Sequence, residues 1–171
     1  NCYKNIAEDY MDIHVKDAGK IYRPIETYEA QIELVRNGEA LLIQAKNKHK
    51  DKIVGMLIIS LTKQAAYDNS VAVDPEYQKD YVSHLMKWRA IQHLEKLGIK
   101  HYELGIAAVS PTYSWQPSSK NYGISHFKEG WSRSCMKKVF IAEKFYSKKA
   151  CEGIWNRKLK DLLEFFKIEN E

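Results

Sequence analysis

Cysteine is scarce in this chain, and the few that occur have neither disulfide nor metal-site spacing. Cys2, Cys135 and Cys151 are odd in number and widely separated, and they form no C-x-x-C pattern. Thiols of this kind are typical of free, packed cysteines in a reducing compartment, so we expect a cytoplasmic location. The six histidines are also scattered, without the i, i+4 or triad spacing of zinc ligands. We therefore expect no metal site.

Long apolar runs are absent as well. The longest, residues 53–61, has the length of a strand and contains Gly55 and Ser60, whereas a membrane-spanning helix needs roughly 20 apolar residues. No secretory signal is visible, and we expect no membrane span. The chain begins with Asn1 rather than Met, which is compatible with a fragment of a longer protein.

No internal repeat, linker or low-complexity segment divides the 171 residues. A hydrophobic content of 44% and a charged content of 29% are ordinary for a folded protein, so we expect a single domain over residues 1–171. The net charge of +5 permits weak attraction to phosphate-bearing partners, but no recognisable RNA-binding motif accompanies it. A basic, Tyr-rich RNA-binding module therefore remains only a minor alternative.

Hydrophobic periodicity predicts two helices followed by an antiparallel meander. Apolar and aromatic residues recur at helical spacing before a capping glycine in each helix: Tyr3, Ile6, Tyr10 and Ile13 before Gly19, then Tyr28, Ile32 and Val35 before Gly38. Three runs typical of strands follow, at residues 40–45, 53–61 and 64–73. Short polar turns join these runs, so consecutive antiparallel hairpins are expected.

A crossover is predicted after the meander. Residues 77–97 have helical period, and their apolar residues cover most of the circumference, which predicts a central helix buried on more than one side with Trp88 in the core. Residues 99–105 predict a strand parallel to the third one, since a β-α-β connection joins them. Beyond a loop rich in Ser and Pro, we expect a short helix at residues 125–129, a strand at 136–142 and an amphipathic helix at 147–166.

Three short motifs stand near the ends of these predicted elements. Residues 73–78 read Val-Asp-Pro-Glu-Tyr-Gln, residues 101–105 read His-Tyr-Glu-Leu-Gly, and residues 123–130 read Gly-Ile-Ser-His-Phe-Lys-Glu-Gly. In this order they resemble the acyl-transfer lobe of the GNAT superfamily, in particular its FemABX branch of aminoacyltransferases, which build peptidoglycan cross-bridges. The resemblance covers roughly residues 10–145. It implies an α/β (α+β) fold with a mixed, largely antiparallel central sheet flanked by helices.

The resemblance also places a donor site at the start of the long helix. In the GNAT pattern, Gln-x-x-Gly-x-Gly/Ala follows the strand, and its glycines let backbone N–H groups approach the coenzyme A diphosphate. Gln78 matches this pattern, but Tyr81 and Ser83 occupy the glycine positions, where a side chain obstructs that approach. Gln78, Tyr81 and Ser83 are thus the candidate cofactor-binding residues, and the donor stays open between acetyl-CoA and aminoacyl-tRNA.

Two residues are candidates for the chemistry, because acyl transfer requires the amine to lose a proton and the oxyanion to be stabilised. Glu103 takes a position where Fem-type sequences have Asp, which implies that it orients or deprotonates the amine. Lys128, in a matching Phe127-Lys128 element, is implied to hold an anionic substrate group or to offset developing negative charge. The alternative for Glu103 and Lys128 is an ordinary solvated surface group.

The acceptor side is implied to involve the third strand. Tyr67, Asp68 and Ser70 lie on it, and the alternative there is an ordinary half-buried strand. Arg23, before Pro24, resembles a motif at the entrance of such lobes and is suited to binding an anionic group with two hydrogen bonds; a surface salt bridge is the alternative. No G-x-S-x-G pattern occurs, so direct attack without a covalent enzyme intermediate is expected.

The function that follows is N-acyl transfer to an amine. The expected acceptor is a sugar, a peptide or a cell-wall precursor, and nucleic acid takes part only if the donor is aminoacyl-tRNA. Full Fem proteins carry two such lobes, so a second GNAT-like lobe or a homodimer is the expected protein partner. The second hypothesis is a non-catalytic GNAT-like lobe that serves as a binding or structural module.

Overall fold

The structure, a computed structural model, describes residues 2–107, 119–132 and 146–168, together with residues 137 and 144. The chain divides into two compact units, Asn1–Gly105 and Ile106–Glu171. The expectation of one domain over the whole chain stays a prediction. Most of the strand predicted at residues 136–142 lies outside the described residues, as does Cys135.

The first unit contains three α-helices, one 3₁₀ helix and four strands. In chain order they are α1 (Cys2–Ala18), α2 (Ile25–Arg36), β1 (Ala40–Asn47), β2 (Lys52–Leu61), β3 (Ala65–Val73), the 3₁₀ helix (Pro75–Asp80), α3 (Val82–Lys96) and β4 (His101–Glu103). Gly19 and Gly38 have φ values of 72° and 74°, the left-handed conformation that ends many helices. The sequence therefore predicted the ends of α1 and α2 correctly.

The four strands form one sheet in the order β1-β2-β3-β4. β1 and β3 pair with β2 in antiparallel fashion, whereas β3 and β4 are parallel. Since α3 connects β3 to β4, the predicted crossover is confirmed. The predicted fold class, a mixed and mostly antiparallel sheet flanked by helices, is confirmed with it.

Helices cover both faces of this sheet. Alternate residues of β2 enter two separate clusters, because successive side chains of a strand point to opposite faces. Met56 and Ile58 pack with aromatic residues of α1 and α2, while Leu57 and Ile59 pack with the buried stripe of α3. The sheet is thus covered by α1 and α2 on one face and by α3 on the other.

The prediction that the crossover helix is buried on more than one side is wrong. α3 buries one stripe against the sheet, and that stripe consists of Val82, Met86, Lys87, Ala90 and Leu94. Its outer apolar residues Leu85 and Trp88 are 55% and 51% exposed. Among the described strands, a sheet packs on one side of α3, and Trp88 lies on the other side, at the surface rather than in the core.

The second unit contains two described helices, α4 (Ser119–Ser132) and α5 (Lys148–Ile168). The short helix predicted at residues 125–129 is confirmed, although α4 is longer at both ends. The terminal helix is confirmed as well. Among the residues that the structure describes, no helix is both long enough and apolar enough to cross a membrane.

Candidate functional site

An irregularity in β3 divides its polar side chains between the two faces of the sheet. Ile58 pairs with Ser70 and Ile59 pairs with Asp68, so Asn69 is an extra residue on β3. A β-bulge of this kind changes the direction of the side chains next to it. Asp68 and Ser70, which a regular strand would present on the same face, therefore point to opposite faces.

Asp68 lies on the face covered by α3, where it binds Lys87. The Lys87 Nζ donates a hydrogen bond to Asp68 Oδ2, and the two side chains are only 3% and 8% exposed. The same Nζ lies 3.2 Å from the hydroxyl of Tyr102 on β4. Burial raises the pKa of Tyr102 far above its ordinary value of 10, so this phenol stays neutral. Asp68, predicted to bind the acceptor, is therefore one half of an internal ion pair.

Ser70 lies on the opposite face, where it meets Arg23. The Arg23 Nη2 donates to Ser70 Oγ at 2.7 Å, and the guanidinium stands 4.8 Å above the ring of Tyr28. The Nε of Arg23 is enclosed and has no acceptor. Within the described ranges no carboxylate oxygen lies within 4 Å of Arg23, so the alternative of a surface salt bridge is not observed there.

Aromatic residues of α1 and α2 surround this arginine. Tyr10 and Tyr28 pack edge to face with ring centroids 5.5 Å apart, and the Tyr28 hydroxyl shares a hydrogen bond of 3.0 Å with His14 Nδ1. Burial raises the pKa of Tyr10 to about 12, although nearby Ser70 and Arg23 lower it in part. Tyr10 is therefore neutral at physiological pH and supplies no negative charge to Arg23.

Glu103 is the last residue of β4, and it pairs in register with Tyr67 on β3. Both side chains are exposed, Tyr67 by 45%. In the described part of the chain, the side chain of Glu103 has no hydrogen bond or ion pair. The structure thus places one predicted catalytic residue beside one predicted substrate-binding residue. An exposed carboxylate at a strand end is suited to accept a proton from an incoming ammonium group.

The turn before α3 keeps a glycine-type backbone without a glycine. Tyr81, which precedes the first residue of α3, has φ 55° and ψ 29°, the left-handed conformation that glycine adopts readily. Its ring is 70% exposed and packs edge to face against His84 at 5.5 Å. The first turn of α3 contains no acidic residue. Because the first N–H groups of a helix have no intrahelical acceptor, this end of α3 favours an anion.

The other two candidate cofactor-binding residues differ in their surroundings. Ser83 is the second residue of α3 and is partly buried at this same helix end. The Gln78 Nε2 lies 3.4 Å from Asp17 Oδ1, so its amide is directed toward α1. Ser83 therefore belongs to the anion-favouring turn, while the cofactor role of Gln78 stays a prediction.

Lys128 and Phe127 lie in the second unit, on α4. The Lys128 Nζ donates to the backbone carbonyl of Ile106 at 2.8 Å, and Phe127 packs edge to face against Trp131 with centroids 6.3 Å apart. The joint action of Lys128 with Glu103 stays a prediction. A search of the described residues finds no group of three or more His, Cys, Asp or Glu side chains that could hold a metal ion.

A surface groove elsewhere in the first unit is separate from all of these residues. It has a volume of about 370 Å³ and lies between β1 and α3, where it is lined by Leu41, Leu42, Ile43, Gln44, Arg89, Gln92, His93 and Lys96. None of the predicted site residues lines it. The groove therefore gives no support to the predicted site residues.

The family of the chain follows from a comparison with protein-family models. The model described as Acetyltransferase (GNAT) domain matches residues 19–129. The chain belongs to this family. The match includes β3, α3, β4 and Lys128, so the candidate site lies within the GNAT domain. No curated protein matches the chain significantly.

Solved structures share the GNAT fold at low sequence identity. An aminoglycoside acetyltransferase from an uncultured soil metagenomic sample, in complex with sisomicin, has a TM-score of 0.62 and 14% identity, over 84% of this chain and 92% of that one. A possible acetyltransferase from Clostridium difficile 630 has a TM-score of 0.57 and 12% identity, over 85% and 91%. Glucosamine-6-phosphate N-acetyltransferase from Arabidopsis thaliana has a TM-score of 0.54 and 13% identity, over 83% and 93%. At these identities the likeness concerns the fold alone.

Acetyl-CoA is the donor of GNAT acetyltransferases, and the turn before α3 fits its diphosphate. Val82 and Ser83 supply backbone N–H groups without intrahelical acceptors, and Tyr81 gives the turn the backbone conformation that glycine usually provides. The side chain of Tyr81 departs from the GNAT pattern, but its large exposure shows that the ring is not packed into the turn. These backbone groups are the ones that would hold the diphosphate.

Sequence reasoning missed two residues that the structure makes prominent. Lys87 is 2% exposed and interrupts the apolar stripe of α3, and a lysine at such a position is a signal that could have been noticed. Tyr10 has a helical spacing that predicts only a packed aromatic residue, whereas the structure encloses its hydroxyl close to Ser70 and Arg23. Nothing in the sequence around Tyr10 indicates this, because Arg23 and Ser70 reach it only in the folded chain.

Proposed function

We propose that this GNAT protein is an N-acetyltransferase that uses acetyl-CoA and acetylates a small amine in the cytoplasm. The observation that carries the proposal is the turn before α3, where Tyr81 keeps a left-handed backbone at the position of a family glycine. That conformation costs a non-glycine residue free energy, so its retention supports a need for the turn itself. The family match over residues 19–129 supports the same reaction.

The chain's own residues have separate tasks in this proposal. The N–H groups of Val82 and Ser83 hold the diphosphate at the positive end of α3. Glu103 accepts a proton from the ammonium of the acceptor, since only the neutral amine attacks a carbonyl. Tyr67, beside Glu103 in the sheet, forms part of the acceptor surface. When bound, acetyl-CoA supplies the activated thioester carbonyl.

A second candidate is aminoacyl transfer of the FemABX type, with a peptidoglycan precursor as acceptor. The side chains of Tyr81 and Ser83, where the GNAT pattern has small residues, favour this alternative, because they add bulk beside the phosphate-binding N–H groups. In that case aminoacyl-tRNA is the donor. A second GNAT-like lobe or a second copy of the chain is then the proposed protein partner.

Donor binding separates these candidates. We expect coenzyme A and acetyl-CoA to raise the melting temperature of the protein. We expect aminoacyl-tRNA to have no effect at a concentration that saturates an aminoacyltransferase used as the positive control. A rise with aminoacyl-tRNA alone would establish the FemABX alternative. No rise with any donor would favour a non-catalytic lobe.

The diphosphate site has a matched pair of variants. Ser83→Glu places a negative charge at the start of α3 and should weaken coenzyme A binding at least tenfold, because two anions then compete for the same N–H groups. His93→Glu adds the same charge in the last turn of α3 and should leave binding within about twofold. Calorimetry of both variants is the measurement. Equal binding by the two variants would remove this turn from the donor site.

The catalytic role of Glu103 is tested by Glu103→Gln. We expect kcat to fall by about 100-fold or more, the typical contribution of a positioned general base, with coenzyme A affinity unchanged. Glu95→Gln, on the exposed side of α3, is the control and should keep full activity. If Glu103→Gln retains more than half of the activity, another group must remove the proton.

A further inference from the structure

Arg23 is a partly buried cation whose partners in the described part of the chain are a hydroxyl and an aromatic ring, with no carboxylate among them. Its single hydrogen bond goes to a hydroxyl, Ser70 Oγ at 2.7 Å, and its neighbour Tyr28 presents the face of an aromatic ring to it. No carboxylate lies within 4 Å of it among the described residues. A buried charge without a counter-ion is costly, so proteins normally pair it.

Neither Asp68 nor Tyr10, two nearby acidic groups, provides a counter-ion for Arg23. Asp68 is two residues from Ser70, but the bulge turns it to the other face of the sheet, where it binds Lys87. Tyr10 stays neutral because burial raises its pKa to about 12. Among the described residues, no carboxylate oxygen therefore lies within 4 Å of Arg23, although Asp68 is close to Ser70 in sequence.

The donors around Arg23 are arranged to receive a ligand. The ring of Tyr28 supports the planar guanidinium from one side, and Ser70 fixes Nη2, so little rotational freedom is left to lose on binding. Nε is enclosed, whereas Nη1 has no hydrogen bond to any described residue and belongs to a side chain that is only partly buried, so a ligand can reach it. A fixed guanidinium with an accessible edge matches the geometry of a carboxylate or a phosphate.

We propose that Arg23 and Ser70 bind one anionic group, a carboxylate or a phosphate, of the amine that this protein acetylates. The acceptor is then an amine that also carries a negative charge rather than a simple polyamine. The identity of the ligand as acceptor rests on the proposed acetyltransferase function, whereas the anion site itself does not. Binding measured without any donor therefore tests the site separately from turnover.

The experiment compares three small amines that differ only in their second group: ethanolamine, β-alanine and O-phosphoethanolamine. The melting temperature of the full chain is measured with each amine at constant ionic strength. We expect a rise of about 3 °C at ten times the dissociation constant for at least one of the two anionic amines and none for ethanolamine. β-Alanine alone would assign a carboxylate-bearing acceptor, and O-phosphoethanolamine alone a phosphate-bearing one.

Three variants decide whether Arg23 causes this response. Arg23→Gln should abolish it, while its own melting temperature falls by less than about 4 °C, because the lost hydrogen bond is offset by removal of an uncompensated charge. Lys20→Gln removes an equal charge from an exposed position in the same loop and should respond as the unmodified protein does. Arg23→Lys keeps the charge without the planar fork and should show a weakened response.

Three results would overturn the proposal. They are a response to ethanolamine equal to that of the anionic amines, a response that survives in Arg23→Gln, and no response to any of the three amines. Coenzyme A binding is measured on the same samples. Loss of the amine response with coenzyme A binding intact refutes the anion site alone, whereas loss of coenzyme A binding with the amine response intact refutes the proposed donor alone.

Discussion

Two cations approach β3 from opposite faces of the sheet, and they meet different partners. Lys87, on the α3 face, is 2% exposed and binds the carboxylate of Asp68. Arg23, on the face covered by α1 and α2, is partly exposed and binds the hydroxyl of Ser70. One residue, Asn69 at the bulge, separates the two partners on the strand.

The difference between them distinguishes a charge that is paired within the protein from one that we propose binds a ligand. The charge of Lys87 is neutralised within the protein, so its removal leaves a buried carboxylate without a partner. The charge of Arg23 is not neutralised by the described residues, so it is available to an outside anion. The GNAT domain therefore has two basic residues, one on α3 and one in the loop before α2, that bind side chains of the same strand from opposite faces.

The largest effect is expected from breaking the Lys87 pair. Lys87→Met leaves Asp68 buried and uncompensated and should lower the free energy of unfolding by about 3–5 kcal/mol. Urea denaturation followed by circular dichroism measures it. Arg23→Gln is the comparison and should cost less than about 1 kcal/mol.

A double variant shows whether charge is the cause. Asp68→Leu combined with Lys87→Met removes both charges and should recover a large part of the lost stability, because a buried ion pair can often be replaced by apolar residues. If the double variant is no more stable than Lys87→Met alone, the loss of stability comes from altered side-chain packing rather than from the uncompensated charge of Asp68.

A smaller effect is expected from closing the space between β2 and α3. A Cβ on Gly55 would lie 2.9 Å from Val82 Cγ1 and 3.1 Å from Met86 Cε. Gly55→Ala should therefore cost about 1–3 kcal/mol by overpacking and displace the start of α3. Coenzyme A affinity should fall with it, while the Arg23 response on the other face stays intact. An unchanged coenzyme A affinity would show that the turn before α3 does not depend on this packing.

The sequence predicted the structure correctly where it depends on residues that are close together in the chain. The helical spacing of Tyr10 and Ile13 in α1, with Gly19 as a cap, predicted a helix that ends as observed. The apolar runs of β2 and β3 and the crossover through α3 followed from periodicity and from the handedness of parallel connections. Residues Glu103 and Tyr67 were proposed separately for the site, and the parallel pairing of β3 and β4 places them side by side.

The parts that could not be predicted depend on pairing between distant residues. The bulge at Asn69 is a property of how β3 aligns with β2, which no local pattern records. The partners of Arg23 and Lys87 follow from it, and these partners are 47 and 19 residues away in the chain. The exposure of Trp88 was mispredicted for a similar reason, since the apolar content of α3 does not say how many of its sides have a partner.

A carboxylate beside Arg23 should give it an ion pair like the one that Lys87 makes on the other face of the sheet. Ser70→Asp places a carboxylate where Arg23 now meets a hydroxyl, and it should abolish the response to anionic amines by occupying the guanidinium. Stability should change by less than about 1 kcal/mol, since a new ion pair at a partly exposed position gains little. Ser70→Ala, which adds no charge, should keep a weakened response. An undiminished response in Ser70→Asp would place the anion elsewhere.

The smallest effect concerns a third pair at the end of β3, between a buried carboxylate and an exposed lysine. Asp74 is 4% exposed and Lys52 is 42% exposed, with 2.8 Å between Nζ and Oδ2. The hydrogen bond from Lys52 holds the pKa of Asp74 below its ordinary value of 3.8, against the opposing effect of burial. Because the folded pKa is the lower one, this stabilisation is complete above pH 3.8 and is lost as the pH falls through the folded value.

Asp74→Asn should therefore reduce the fall in the free energy of unfolding at low pH. The free energy of unfolding of the unmodified protein falls with pH below 3.8, and that of Asp74→Asn falls less, so the two curves converge in acid. Asp51→Asn is the control, because Asp51 is 85% exposed in its pair with Lys46 and an exposed pair contributes little. If both variants change the loss of stability at low pH equally, burial of the Asp74 carboxylate does not distinguish its pair with Lys52 from the exposed pair of Asp51 and Lys46.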